Sequence, residues 1–256
     1  VETETQFTYF IGLDLGQARD YTAVVVLEHT ETYAVPPPKT GRDAFEMVGI
    51  GDSTGKPSRP ISFTPTAETY HVRYCRRFPL GTPYPEIVRW TSTQVRNIMT
   101  RARVGLIIDA TGVGRAILDM FRDAQLKVVP VNVTSGQYDN FAKGVWNVPK
   151  KDLASATKFL LDKKVLKIED PTDNTPGDND LYISSAELIE EIQNFRIKIN
   201  ERTRHESYGA WRENDHDDLV FALFLTCWWC LKRKEKAGKA YTPVIVGEDE
   251  GTKLPG

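Results

Sequence analysis

Tyr9-Phe-Ile-Gly-Leu-Asp-Leu15 is an apolar run too short for a helix, and it carries a carboxylate at its end. It reads as a buried strand. A short polar link leads to Thr22-Ala-Val-Val-Val-Leu-Glu28, rich in β-branched residues and therefore the hairpin partner of the first strand. His71–Phe78 supplies a third strand. Between these strands, residues 33–68 hold six of the fifteen prolines together with Gly41, Gly49, Gly51 and Gly55, which predicts a long excursion outside the core.

The rest of the chain alternates helix and strand. Thr82 is a good N-cap with Pro83 at N1, and Ile87, Val88, Val95, Ile98 and Met99 keep helical spacing. Gly105-Leu-Ile-Ile-Asp109 repeats the pattern of a buried strand ending in an acid. A helix over Gly112–Ala124, a strand over Lys127–Val133, a helix over Pro149–Lys164 and a short extended stretch at Val165–Ile168 follow. Ser184 and Ser185 can cap a helix to about Asn194. Phe195–Asn200 and His205–Tyr208 read as a hairpin, so 195–208 is one β-hairpin unit. Asp217–Lys234 is a long helix with Asn214 and Asp215 as possible caps. Antiparallel strands first and βα units afterwards predict an α/β fold, with a mixed central sheet and helices on both faces. One domain over 1–240 and a flexible tail over 241–256 are expected, because Pro, Gly and acids dominate the end.

Composition removes several classes. In 256 residues, 33 Lys plus Arg stand against 35 Asp plus Glu, a net charge of −2 that excludes a uniformly basic nucleic-acid binder but not a basic groove. With 40% hydrophobic residues the chain can bury a real core. Cys75, Cys227 and Cys230 cannot make a disulfide framework and point to a reducing compartment. No apolar run approaches the length of a membrane span, and the Val-Glu-Thr-Glu-Thr start has no signal-peptide character.

Asp14 and Asp109 each end a buried strand, and Asp217 and Asp218 open the last long helix. A charge attached to a buried strand needs a partner or a cation. Should the two strands be neighbours, the acids emerge side by side and mutual repulsion calls for a divalent ion, Mg²⁺ or Mn²⁺ for hard oxygen ligands. Each acid also has a simpler role: Asp14 as a turn residue, Asp109 as a helix cap, Asp217 and Asp218 at the positive end of a helix dipole.

Three segments together, Phe10-Ile-Gly-Leu-Asp-Leu-Gly-Gln-Ala-Arg-Asp-Tyr-Thr22, Ile108-Asp-Ala-Thr-Gly-Val-Gly114 and His216-Asp-Asp-Leu-Val-Phe-Ala-Leu223, resemble the nuclease domain of the large terminase subunit of tailed bacteriophages. Val148-Pro-Lys-Lys-Asp152, Gln193-Asn-Phe-Arg-Ile-Lys-Ile199 and Tyr208-Gly-Ala-Trp-Arg212 are similar to that family too. The resemblance spans residues 9 to about 231. It implies a ribonuclease H-like fold, close to the Holliday-junction resolvases, and a metal-dependent endonuclease that cuts concatemeric double-stranded viral DNA during genome packaging. Asp14 then matches the aspartate that bridges two Mg²⁺ or Mn²⁺ ions, Asp109 the second-motif acid, and Asp217 and Asp218 the acidic pair on the last helix. Helix positions one apart diverge by ~100°, so Asp217 and Asp218 cannot present identical faces to one ion; Asp218 is slightly favoured as the direct ligand, and both are kept. Asp20 matches an additional acid of the first motif, and reads equally as a loop residue capping the next strand. His216 is either a group that positions a water or a surface residue at a helix start.

The same resemblance implies an N-terminal ATPase domain, a portal protein and a small terminase subunit as partners, and the cytoplasm of an infected bacterial host as location. The chain carries no ATPase motif: in Gly51-Asp-Ser-Thr-Gly-Lys-Pro57 the glycine required before Gly55 is Ile50, and Pro57 replaces the Mg²⁺-binding hydroxyl. With the missing initial Met, this suggests a nuclease domain alone. Gly112-Val-Gly114 lacks the third glycine of a dinucleotide loop. Cys227 and Cys230 lie at helical spacing among Leu225, Trp228 and Trp229 and read as packing residues.

DNA would be held by positive stretches. Seven Arg (73, 76, 77, 89, 96, 101, 103) face one acid, Glu86, between His71 and Val104, whereas 169–187 carries six acids and no Lys or Arg. Arg101, Arg103, Lys143, Lys150, Lys151, Arg196 and Lys198 are the candidate DNA contacts, with Arg202 and Arg204 at the hairpin tip; Lys158 adds to the same stretches. Alternative readings are a junction resolvase on the same scaffold, an actin-like or sugar-kinase-like ATP-binding module, and a catalytically silent DNA-binding domain.

Overall fold

The computed structural model describes residues 3–16, 20–34, 65–112, 114–168, 185–200, 205–210 and 217–237. Strand β1 (Thr3–Asp14) runs antiparallel to β2 (Ala23–Ala34), and β2 antiparallel to β3 (Ala67–Arg77). Then come α1 (Tyr84–Met99), β4 (Arg103–Asp109), α2 (Gly114–Asp123), β5 (Val128–Thr134), β6 (Asn140–Ala142) and β7 (Val145–Pro149). The chain continues with α3 (Lys150–Asp162), β8 (Leu166–Ile168), α4 (Ser185–Asn194), β9 (Phe195–Asn200), β10 (His205–Ala210) and α5 (Asp218–Ala237). Eight strands form one sheet in the order β6-β7-β5-β4-β1-β2-β3-β8, and β9 and β10 pair separately. β4 is parallel to β1, β5 to β4, β7 to β5 and β8 to β3. The mixed sheet expected from the sequence is therefore present, antiparallel over its first three strands and parallel along β1-β4-β5-β7.

Alternation along the strands sends side chains to two cores. Ile11, Leu13, Val24, Val26, Leu106 and Ile108 meet α1 and α2 through Ile87, Val95 and Phe121. On the opposite face Phe10, Val25, Leu27 and Ile107 meet α5. From Leu219 to Cys230 every residue of α5 is buried, the signature of a helix covered on all sides. The sheet lies on one side of it; α3 and α4 contribute Leu153, Leu160 and Leu188 to the same core on the other. Cys75, Cys227 and Cys230 are buried free thiols, and burial pushes Cys227 up to about 12, so the packing role expected of the α5 pair fits.

Two local readings need correction. Thr82 does not cap α1: Pro83 occupies the cap position with an extended ψ of 139°, and the Thr82 hydroxyl donates instead to the Pro79 carbonyl at 2.6 Å. The β6–β7 hairpin was not expected. Its two-residue turn, Lys143-Gly144, has φ of 52° and 82°, the left-handed pair that suits a tight hairpin. Most of the 33–68 excursion (35–64), the hairpin tip at 201–204 and the tail from 238 lie outside the described residues.

Candidate functional site

β1 and β4 are parallel neighbours, with Leu13 opposite Ile108. The next residues in register are Asp14 and Asp109, so the two acids leave the sheet side by side at the carboxyl ends of adjacent strands. Both follow the face of Phe10 and Ile107, the face that α5 covers. Gly12 fixes how closely α5 approaches. A Cβ there would stand 2.2 Å from the Ala222 carbonyl oxygen and 2.8 Å from Thr226 Cγ2, so only a glycine admits the helix at this height. One turn before Ala222 is Asp218, and two residues after Gly12 is Asp14. The contact thus delivers the start of α5 to the strand ends.

Electrostatics confirm that the four acids share one neighbourhood. Asp14 is held well above the usual carboxylate range, first by burial and then by Asp109, Asp218 and Asp217, with Lys150 opposing. Asp109 is also raised by burial, against a hydrogen bond from Thr111 N–H at 2.7 Å and the Lys150 charge. Lys150, the first residue of α3, is lowered by burial and pulled back by Asp217, Asp14 and Asp109. Its Nζ lies 4.3 Å from the centre of the Phe221 ring on α5. Lys150 is therefore part of this acidic centre and not an outlying surface charge.

Asp218 is buried and Asp217 half-buried. Asp218 Oδ2 lies 3.7 Å from Arg77 Nε, and Arg77 also binds Glu187 at 2.7 Å and Glu191. Glu191 in turn accepts the Val220 N–H at 2.8 Å, in the first turn of α5. Burial pushes Glu191 up to about 7, Asp218 and Asp217 adding and the Val220 bond and Arg77 opposing. This β3–α4–α5 ion-pair cluster holds the acidic end of α5 in place. Sequence reasoning missed it, although Ser185, Leu188 and Glu191 recur every third residue on the buried face of α4.

Several candidate DNA contacts are scattered. Arg103 pairs with Thr8 in register, at the opposite end of the sheet from Asp14; six residues of strand separate the two ends by about 20 Å. Arg101 lies just before it, exposed. Arg73 and Arg77 are engaged by Glu28 and by the Glu187–Glu191–Asp218 cluster, so the seven arginines do not form one basic face. Lys143 is exposed in the β6–β7 turn, and Lys151 donates to Gln137 at 3.3 Å. Arg196 and Lys198 are on β9, which begins at Phe195, edge-on to Phe221 and Phe224 of α5. The hairpin therefore springs from beside the acidic centre. Arg202, Arg204 and His216 lie outside the described residues. Asp20 is exposed between β1 and β2, in a hollow it lines with Thr22 and Tyr84.

A second group could hold a metal ion. Among the described residues, His29, Glu31 and Glu68 are the group of three such side chains that brings donor atoms within 4.8 Å of one another. The strand-end aspartates do not bring three donor atoms that close to one another. No protein-family model matches the chain, and no curated protein matches its sequence.

Proposed function

We propose that the chain is a divalent-metal-dependent endonuclease of ribonuclease H-like fold that cuts double-stranded DNA. The observation that carries this reading is the convergence of Asp14 and Asp109, on adjacent parallel strands, with Asp217 and Asp218 at the start of the helix above them. The strand order β3-β2-β1-β4-β5, antiparallel then parallel, supports the fold assignment. The donor set fits hard cations, because all four groups are carboxylates and the charge of Asp14 is opposed by the other three.

Asp14, Asp109 and the Asp217–Asp218 pair would hold Mg²⁺ or Mn²⁺. Two ions bound there would supply Lewis acidity at both ends of an in-line displacement at phosphorus. Lys150 brings positive charge to the same spot, which partly offsets the carboxylates and favours an anionic phosphodiester over uncharged groups. The β9–β10 hairpin, rooted on α5 beside the centre, gives DNA a surface to run along. Phosphate contacts carry no sequence information, so little sequence preference is expected. The resemblance to large terminase subunits makes concatemeric viral DNA the substrate, with an ATPase domain, a portal protein and a small subunit as partners in an infected bacterium.

The purified chain should convert supercoiled plasmid to nicked and linear forms in Mn²⁺ or Mg²⁺. EDTA should stop the reaction and excess Mn²⁺ restore it. Plasmid left intact in Mn²⁺ would overturn the proposal, and strong preference for four-way junctions over linear duplex would move it to the resolvases.

A further inference from the structure

A second cluster of ligating side chains lies at the other end of the sheet. His29 faces the α5 side of β2, in line with Val25 and Leu27, where an apolar residue would be expected. It is 1% exposed, and neither ring nitrogen makes a hydrogen bond. Leaving both polar atoms of a buried imidazole unmet is costly. The ring is stacked on Tyr70, with centroids 4.5 Å apart and planes 16° from parallel, which fixes its edge. That edge turns Nδ1 toward Glu31 Oε2, 3.8 Å away. Glu31 and Glu68 are direct cross-strand partners, a pairing of like charges that is unfavourable unless something lies between them.

We infer that His29, Glu31 and Glu68 form a binding site for a zinc-class transition-metal ion, distinct from the aspartate centre. One imidazole and two carboxylates are the mixed nitrogen and oxygen set that suits Zn²⁺ or Co²⁺ better than Mg²⁺. Ligands about 2.0–2.1 Å from a tetrahedral ion stand roughly 3.3–3.5 Å apart. The His29–Glu31 spacing therefore has only a few tenths of an ångström to close.

Two cations compete with the ion. Lys234 binds Glu68, and Arg233 Nη2 is 4.0 Å from Glu31 Oε2. Both carboxylates are offset by these groups, but neither cation meets His29. Lys234 is partly exposed on a long stem and can swing out as the metal enters. The ion would clamp β2 to β3, from which its ligands come, in a structural role about 20 Å from Asp14, six strand residues away.

The test is Co²⁺ binding to the chelator-treated chain in excess Mg²⁺, read by calorimetry and by visible d–d absorption. One equivalent with the intense bands of a low-coordinate ion is expected. Glu68→Gln should weaken that binding at least about tenfold and leave plasmid cutting in Mn²⁺ unchanged, so this site and the aspartate centre can fail independently. His29→Asn should abolish the bands, and Lys234→Met should tighten binding. Absence of the bands, or bands of equal strength and affinity in Glu68→Gln, would overturn the inference, even if His29→Asn does not fold.

Discussion

Asp14→Asn is expected to lower plasmid cutting in Mn²⁺ by roughly 10³-fold or more, because it removes a ligand worth several kcal/mol of transition-state stabilisation. The same substitution should make the metal-free protein more stable at neutral pH. Asp14 is half-buried at the strand end, and burial together with Asp109, Asp218 and Asp217 holds its carboxyl well above the ordinary range. A group with that shift binds its proton more readily in the folded than in the unfolded chain. Its contribution favours folding at low pH and is lost as pH rises from the unfolded value near 3.8 through the folded one. Asparagine keeps the shape and discards the charge. The thermal midpoint without metal should therefore rise, by about 2–4 °C for each kcal/mol relieved. Scanning calorimetry in EDTA, beside a cutting assay, checks both halves. A mutant that cuts like the wild type, or is less stable in EDTA, contradicts the buried carboxylate cluster.

Gly12→Ala should damage the fold itself. The added Cβ would meet the Ala222 carbonyl oxygen at 2.2 Å and Thr226 Cγ2 at 2.8 Å, and a backbone oxygen within a helix cannot swing aside. Overpacking of this kind costs about 3 kcal/mol or more, which lowers the midpoint by roughly 6–12 °C. Gly12→Val should leave little cooperative unfolding, given a total stability on the order of 5–15 kcal/mol. Because the same contact sets Asp218 against Asp14, cutting by Gly12→Ala should fall even where the protein remains folded. Thermal melts of both variants test this, and a wild-type midpoint for Gly12→Ala would refute the close approach of α5.

The parts of this arrangement that the sequence reveals are those encoded locally. An apolar run ending in an acid announces both β1 with Asp14 and β4 with Asp109, and the unbroken apolar stretch from Leu219 announces a covered helix. What escapes is set by partners distant in the chain. Arg77 belongs to an arginine-rich stretch, and its engagement by Glu191, 114 residues on, follows only from the fold. Arg103 is six residues from Asp109, yet strand direction carries it to the opposite end of the sheet. Lys150 counts as a basic surface residue until β7 and α3 bring it under the aspartates. His29 follows a run of inward-facing aliphatic residues, and alternation places it inside; nothing local says that its nitrogens would find no hydrogen bond.

The proposed activity depends on divalent-metal binding by the converging aspartates. The most direct test is an anomalous difference map from crystals of the chain soaked in Mn²⁺. Peaks within coordination distance of Asp14 and Asp109, with Asp218 or Asp217 completing the set, are the predicted result. Carboxylates left bare in a Mn²⁺-soaked crystal, with Asp14 and Asp109 turned apart, would contradict it.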